Sequence, residues 1–297
     1  MSIHFTRRDF MRATTGGAVA VGSSLFGLDT LAAVVAQTKR APRSATVTVV
    51  RDAQALTASH DVNRPALQRM LGDTIVRVTG KPTPKAAWQS MFTPRDVVGI
   101  VPTPHLNPTH RELYDAVSEA LVDAGVPAAN IVNANGGIEK ARACTALVCL
   151  PALKAHWLTG IGTVLKNYIL FSGSPRNYHD QQNVRLGEVW QLPDVKGKTR
   201  LVLVDALRPL CDKGPQVDPR YLWDYNGLIA GTDPVAVESV ALRIILAKRQ
   251  QLRGEPWPLS PPPLCVAAAD ERYGLGTSRT EEIKLNTAGW AEGLLLA

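Results

Sequence analysis

Between positions 154 and 179 the sequence gathers Lys154, His156, Lys166, Arg176 and His179. Lysine and arginine N–H groups hold carboxylate or phosphate oxygens. Imidazole ligates metal when neutral and moves protons near its ordinary pKa. The residue types therefore predict anion-binding roles for Lys154, Lys166 and Arg176. They predict catalytic or metal-ligating roles for His156 and His179. The competing reading is a solvated basic loop with one hydrogen-bonded histidine.

The flanking elements must position these groups. Ala146–Leu150 is a buried apolar strand that runs straight into Lys154 and His156. Gly160 and Gly162 hinge a turn, and a short helix bearing Lys166 and Asn167 is expected after it. Arg200–Asp205 reads as an apolar strand ending in a carboxylate. Ligands of open α/β sheets sit just past the carboxyl ends of strands, so Asp205 is a catalytic or orienting candidate. His105 leaves a second strand, Asp96–Val101, on a proline-rich loop and is a further metal-ligand candidate. His110 is expected at a helix start.

The wider pattern alternates strands and helices. Ala45–Val50 is a β-branched strand. Pro65–Val78 and Thr109–Ala124 carry apolar residues at helical spacing, and Asn130–Asn133 is a short strand. Thr232 or Asp233 can cap a long helix that Pro234 opens. Pro256–Pro263 is a rigid surface loop. The expected architecture is α/β, a mostly parallel sheet with helices on both faces, as a single domain over residues 45–290.

Composition narrows the function classes. The chain has 297 residues, 45% hydrophobic and 20% charged, with a formal net charge of +7. Disorder and a polytopic membrane protein are excluded. No Lys/Arg run interleaves with aromatics, so nucleic acid is not an expected partner. Arg7-Arg8, then Phe10, then the uncharged small-residue stretch Ala13–Leu28 resembles a twin-arginine export signal. That stretch is shorter than the ~20 residues a spanning helix needs, so no stable membrane anchor is expected. Residues 1–36 are read as the signal, with cleavage near Ala32–Ala36. The translocase of that pathway is the expected export partner, and the expected location is periplasmic or extracellular.

Several motifs fall short. Gly197-Lys198-Thr199 lacks the upstream glycine of a phosphate-binding loop, because position 192 is Leu, and a strand follows it. Gly160-Ile161-Gly162 lacks the third glycine of a dinucleotide fingerprint. No H-E-x-x-H and no C-x2-C occurs. Cys144, Cys149, Cys211 and Cys265 admit three disulfide pairings, and spacing does not choose among them. Structural roles, free or bridged, are expected for them.

The stretch Leu150-Pro151-Ala152-Leu153-Lys154-Ala155-His156-Trp157-Leu158-Thr159-Gly160-Ile161-Gly162-Thr163-Val164-Leu165-Lys166-Asn167 resembles the strand-to-helix motif of domain of unknown function 362. Asp205-Ala206-Leu207, Gly214-Pro215, Asp233-Pro234-Val235-Ala236-Val237-Glu238 and Gly274-Leu275-Gly276-Thr277 resemble further family motifs, in order. The resemblance covers most of residues 45–290. It implies an α/β fold and puts weight on Lys154, His156, Lys166 and Asn167 as site residues. The chain departs from the family at Tyr168, Gly162-Thr163 and Glu238. It also lacks the cysteine-rich iron–sulfur module of some members, so no iron–sulfur cluster is expected.

Three functions fit these residues. One is an exported enzyme acting on a small anionic molecule with a metal or other cofactor whose identity the sequence leaves open. Another is a non-catalytic protein that binds an anion or assists assembly of a metallocofactor partner. The third is a purely structural basic stretch.

Overall fold

The computed structural model describes residues 43–296. The export signal read over residues 1–36 lies outside the described residues. Among those described, no helix is long and apolar enough to cross a membrane.

The strands are β1 (Ala45–Arg51), β2 (Val98–Pro102), β3 (Ile131–Asn133), β4 (Ala146–Leu150), β5 (Ala152–His156), β6 (Gly160–Ile161), β7 (Thr199–Leu210), β8 (Gly227–Gly231) and β9 (Ile283–Gly289). They form one sheet in the order β3-β2-β4-β7-β8-β1-β9, with β5 paired to β7 and β6 to β5. The β3/β2, β2/β4, β4/β7, β5/β7 and β1/β9 pairs are parallel. The β7/β8, β8/β1 and β5/β6 pairs are antiparallel. The expected α/β architecture, mostly parallel, is the one observed.

The helices are α1 (Arg64–Thr79), α2 (Pro84–Met91), α3 (Arg111–Asp123), α4 (Ile138–Ala143), α5 (Leu186–Trp190), α6 (Pro234–Arg253) and α7 (Leu264–Glu271). Local chemistry sets the long ones. The Asn63 side chain accepts from Ala66 N–H at the start of α1. At the start of α6 Asp233 accepts from Val235 and Ala236 N–H at 2.9 and 2.8 Å. Both helices carry proline in the first turn, where no N–H is needed.

Two buried clusters lie on opposite faces of the sheet. Leu201 and Leu203 of β7 pack with Leu67, Trp88 and Leu113 from α1, α2 and α3. Val202 and Val204 pack with Trp190, Val240 and Ile244 from α5 and α6. Successive side chains of a strand point to opposite faces, so covering both faces explains why β7 reads as a continuous apolar run rather than an alternating one.

Two local expectations need correction. Strand β7 does not stop at Asp205; it continues to Leu210, because β8 pairs with it as far as Ala206 and parallel β5 pairs Lys154 with Leu210. Residues 164–168 form a turn, not a helix, followed by a 3-10 segment over Ile169–Ser172. All four cysteines are free and buried.

Candidate functional site

The carboxyl ends of β2, β4 and β5 deliver the site residues. Strand β4 ends at Leu150, and Pro151 turns the chain into β5. The Pro151 carbonyl accepts from Asp205 N–H at 2.8 Å, which keeps the two strands in line along β7. Strand β5 then presents Lys154 and His156, and a hairpin through Gly160 returns the chain to β6. Gly160 has φ +76°, and a side chain there would strike the Pro261 carbonyl, 2.7 Å from an added Cβ. Gly162 lies against the His156 ring, where an added Cβ would sit 3.1 Å from that residue's Cβ.

Lys154 is buried, 5% exposed, and its amine is spent within the protein. It donates to the carbonyls of His105, Leu106 and Asn107 at 3.4, 2.6 and 3.2 Å. Leu106 and Asn107 both adopt left-handed backbone, at φ 54° and 62°. That bend costs energy for non-glycine residues, and it turns successive carbonyls toward one amine. Three acceptors match the three N–H bonds of an ammonium. Burial, and then the nearby Lys166, press the Lys154 pKa down to about 7.

Lys166 is different. It sits half-buried on the 164–168 turn, and among the described residues its amine has no hydrogen-bond partner. Burial lowers its pKa to about 8. The turn itself is tied down on every side. The Glu238 carboxyl of α6 accepts from Val164 N–H and, at 3.3 Å, from Leu165 N–H. Trp190 Nε1 donates to the Leu165 carbonyl at 3.0 Å. Asn167 Nδ2 donates to the Val101 carbonyl at 2.7 Å, and the Tyr168 hydroxyl bonds Thr199 Oγ1 at 2.9 Å. Glu238 is wholly buried, its second oxygen has no partner, and burial pushes its carboxyl up to about 8.

His156 and His179 complete the group. His156 Nδ1 accepts from Leu158 N–H at 3.1 Å, which leaves Nε2 to carry the proton of the neutral ring. Burial, and then Lys166, His179 and Lys154, push its pKa down to about 2. His179 is lowered by burial and by Lys166. Among the described side chains, no carboxylate acts on any of these four groups.

The other expected site residues lie apart. Asp205 is buried and joins His110, not the Lys154 cluster. Its Oδ2 accepts from His110 N–H at 2.7 Å and from His110 Nδ1 at 2.8 Å, and its Oδ1 accepts from Leu207 N–H at 3.1 Å. It thereby fixes the start of α3, which His110 precedes as expected. Asn167 uses its amide to hold the turn to β2. His105 contributes its carbonyl, while its imidazole is exposed. Arg176 is exposed on a 3-10 segment and forms no ion pair among the described residues.

The donor set does not fit a metal. Among the described residues no three His, Cys, Asp or Glu side chains come together as a metal site. His156 and His179 stand instead with two lysines, whose charge repels a cation. An open depression of about 440 Å³ beside Tyr114, Glu119, Val122 and Asp123 is lined by two carboxylates and no cation, so it does not suit an anion either.

Sequence reasoning did not foresee two partners. His110 was placed at a helix start, but its pairing with Asp205 spans 95 positions and leaves no mark in local spacing. Glu238 was visible only as part of a family motif.

Residues 118–243 match the model of the family described as domain of unknown function (DUF362). The match supports the motif resemblance and contains Lys154, His156, Lys166, His179, Asp205 and Glu238. No curated protein and no solved structure matches the chain.

Proposed function

We propose that this chain is an exported protein that binds a small anionic molecule at a cationic site centred on Lys166. One observation carries the reading. Among the described residues the Lys166 amine has no hydrogen-bond partner, and it sits on a turn fastened by Glu238, Trp190, Asn167 and Tyr168 side chains. Fastening fixes the backbone from which the Lys166 side chain projects, which lowers the ordering cost of binding. Lys154 adds positive charge close by while it is protonated, below its pKa of about 7, and His156 and His179 offer ring nitrogens. Among the described side chains no carboxylate acts on these groups, and the positive field of the amines is one that an anion neutralises.

Thermal shift and calorimetry with oxalate, phosphate and sulfate test the reading. Lys166→Met is expected to weaken the best anion by roughly 10- to 100-fold, the worth of one charge-assisted hydrogen bond. Unchanged affinity in that variant overturns the site.

Export rests on Arg7, Arg8 and Phe10 before the apolar stretch, and the twin-arginine translocase is the proposed partner. Replacing both arginines by lysine is expected to leave the protein in the cytoplasm of a host with an intact pathway. Delivery unaffected by that change contradicts the proposal.

A further inference from the structure

We infer that the anion bound at this site carries an aldehyde or ketone group, and that Lys166 captures it as an imine. The inference rests on the anion-binding reading above and deepens it. Its basis is a division of labour between two neighbouring lysines. Lys154 is locked by three carbonyls, so its amine is not free to attack a ligand. Lys166 is half-buried, bonded to nothing among the described residues, and held at a fixed position by its turn. An amine kept only to attract a carboxylate gains from full charge. An amine kept for attack on carbon needs a second cation beside it and partial removal from water, both of which favour its uncharged form. Burial withdraws Lys166 from water and lowers its pKa, and Lys154, whose own pKa Lys166 lowers, is the cation near it.

The step balances without a further reactant. The uncharged Lys166 nitrogen attacks the carbonyl carbon and forms the C–N bond. The nitrogen gives up its two hydrogens, the carbonyl oxygen takes them, and the C–O bond breaks with loss of water. Nothing is oxidised or reduced. His179, whose ring feels Lys166 and stacks on His156, is the group that can carry protons between nitrogen and oxygen. The substrate class is a 2-oxo acid or an aldehyde acid, its carboxylate drawn by the positive field of the lysine pair.

The test uses the purified chain with glyoxylate and sodium cyanoborohydride, followed by peptide mapping. Oxalate serves as an anion of similar shape that forms no imine with an amine. Lys166 is expected to become carboxymethylated at least ~10-fold faster than the exposed Lys85 and Lys284, because its lower pKa leaves more of it unprotonated at pH 7. Oxalate is expected to slow labelling of Lys166 alone. Lys166→Arg is expected to bind oxalate and yield no adduct at this position. If that variant does not fold, protection of wild-type Lys166 by oxalate decides the question. Oxalate binding with Lys166 labelled no faster than the exposed lysines overturns the imine and leaves the anion site standing. Absence of both oxalate binding and selective labelling overturns the two together.

Discussion

The rings of His156 and His179 stack, with centroids 5.6 Å apart and planes inclined by 28°. Two imidazolium rings so placed, beside two lysines, would repel one another. Burial and the lysines hold both pKa values below the ordinary histidine value, so the pair is neutral at pH 7. The charge that attracts an anion therefore comes from the amines.

The pH dependence of binding follows from this assignment. Calorimetry with oxalate between pH 6 and 9 is expected to show affinity falling as pH rises from about 7 through about 8, as Lys154 and then Lys166 lose their protons. A dominant inflection near the ordinary histidine pKa of about 6.5 would assign the charge to the imidazoles instead.

Glu238 holds the Lys166 turn as an acceptor. Glu238→Ala leaves two buried N–H groups unbonded and opens a cavity, and is expected to cost about 2–4 kcal/mol in urea unfolding. Glu238→Gln keeps an acceptor and is expected to cost less than ~1.5 kcal/mol. Because burial raises the carboxyl from 4.5 to about 8, the folded protein retains a proton that the unfolded chain releases. Its stabilising share is full below pH 4.5 and is lost as pH rises through about 8. The stability difference between wild type and Glu238→Gln should narrow over that window; a flat difference shows that the carboxyl is ionised throughout.

His110 and Asp205 form a separate pair. Burial alone would lower the His110 pKa, but the Asp205 carboxylate overrides it and the net shift is upward. The pair's contribution is therefore full below the ordinary histidine pKa and is lost as pH rises through the raised value. Asp205→Asn is expected to bring the His110 titration down, as followed by NMR. It should cost about 1–3 kcal/mol near pH 6 and less at pH 9. An unmoved titration would break the link between the two residues.

The amino end of β2 depends on Asp96 and Arg200. Arg200 donates to both Asp96 oxygens at 2.8 and 2.9 Å, and Thr93 and Thr145 donate to the same carboxylate. Burial opposes ionisation, yet Arg200 and the threonines overcome it and hold the carboxyl well below its usual range. This stability is present above the usual Asp pKa and is lost as pH falls toward the depressed one. Arg200→Met is expected to cost about 1–3 kcal/mol at pH 7, and the difference should shrink steadily below pH 4. A difference independent of pH would attribute the loss to packing of the arginine stem.

Much of the frame was legible in the sequence. Strands β1, β4 and β7 and helices α1, α3 and α6 carry clear periodicity, caps or apolar runs. The reading passed over β8 and β9 for physical reasons. Strand β8 is Gly-Leu-Ile-Ala-Gly, with glycine at both ends, and β9 alternates polar residues along an edge. Helices α4 and α5 have too few turns to show a period. The helix expected at Lys166 is a turn because Glu238, more than 70 positions away, takes the Val164 and Leu165 N–H groups. The Lys154–His156–Lys166–His179 group could be named from residue types. That Lys154 is occupied and Lys166 is not depends on where the His105–Asn107 carbonyls fall.

The central claim is that the unbonded Lys166 amine is the anion's principal contact. Calorimetric titration of oxalate into wild type, Lys166→Met and Lys284→Met at pH 7 tests it most directly. Lys284 is exposed on β9 and serves as a charge-matched control. The account predicts binding that Lys166→Met weakens by at least ~10-fold and Lys284→Met leaves intact. Equal affinity in all three proteins would contradict it.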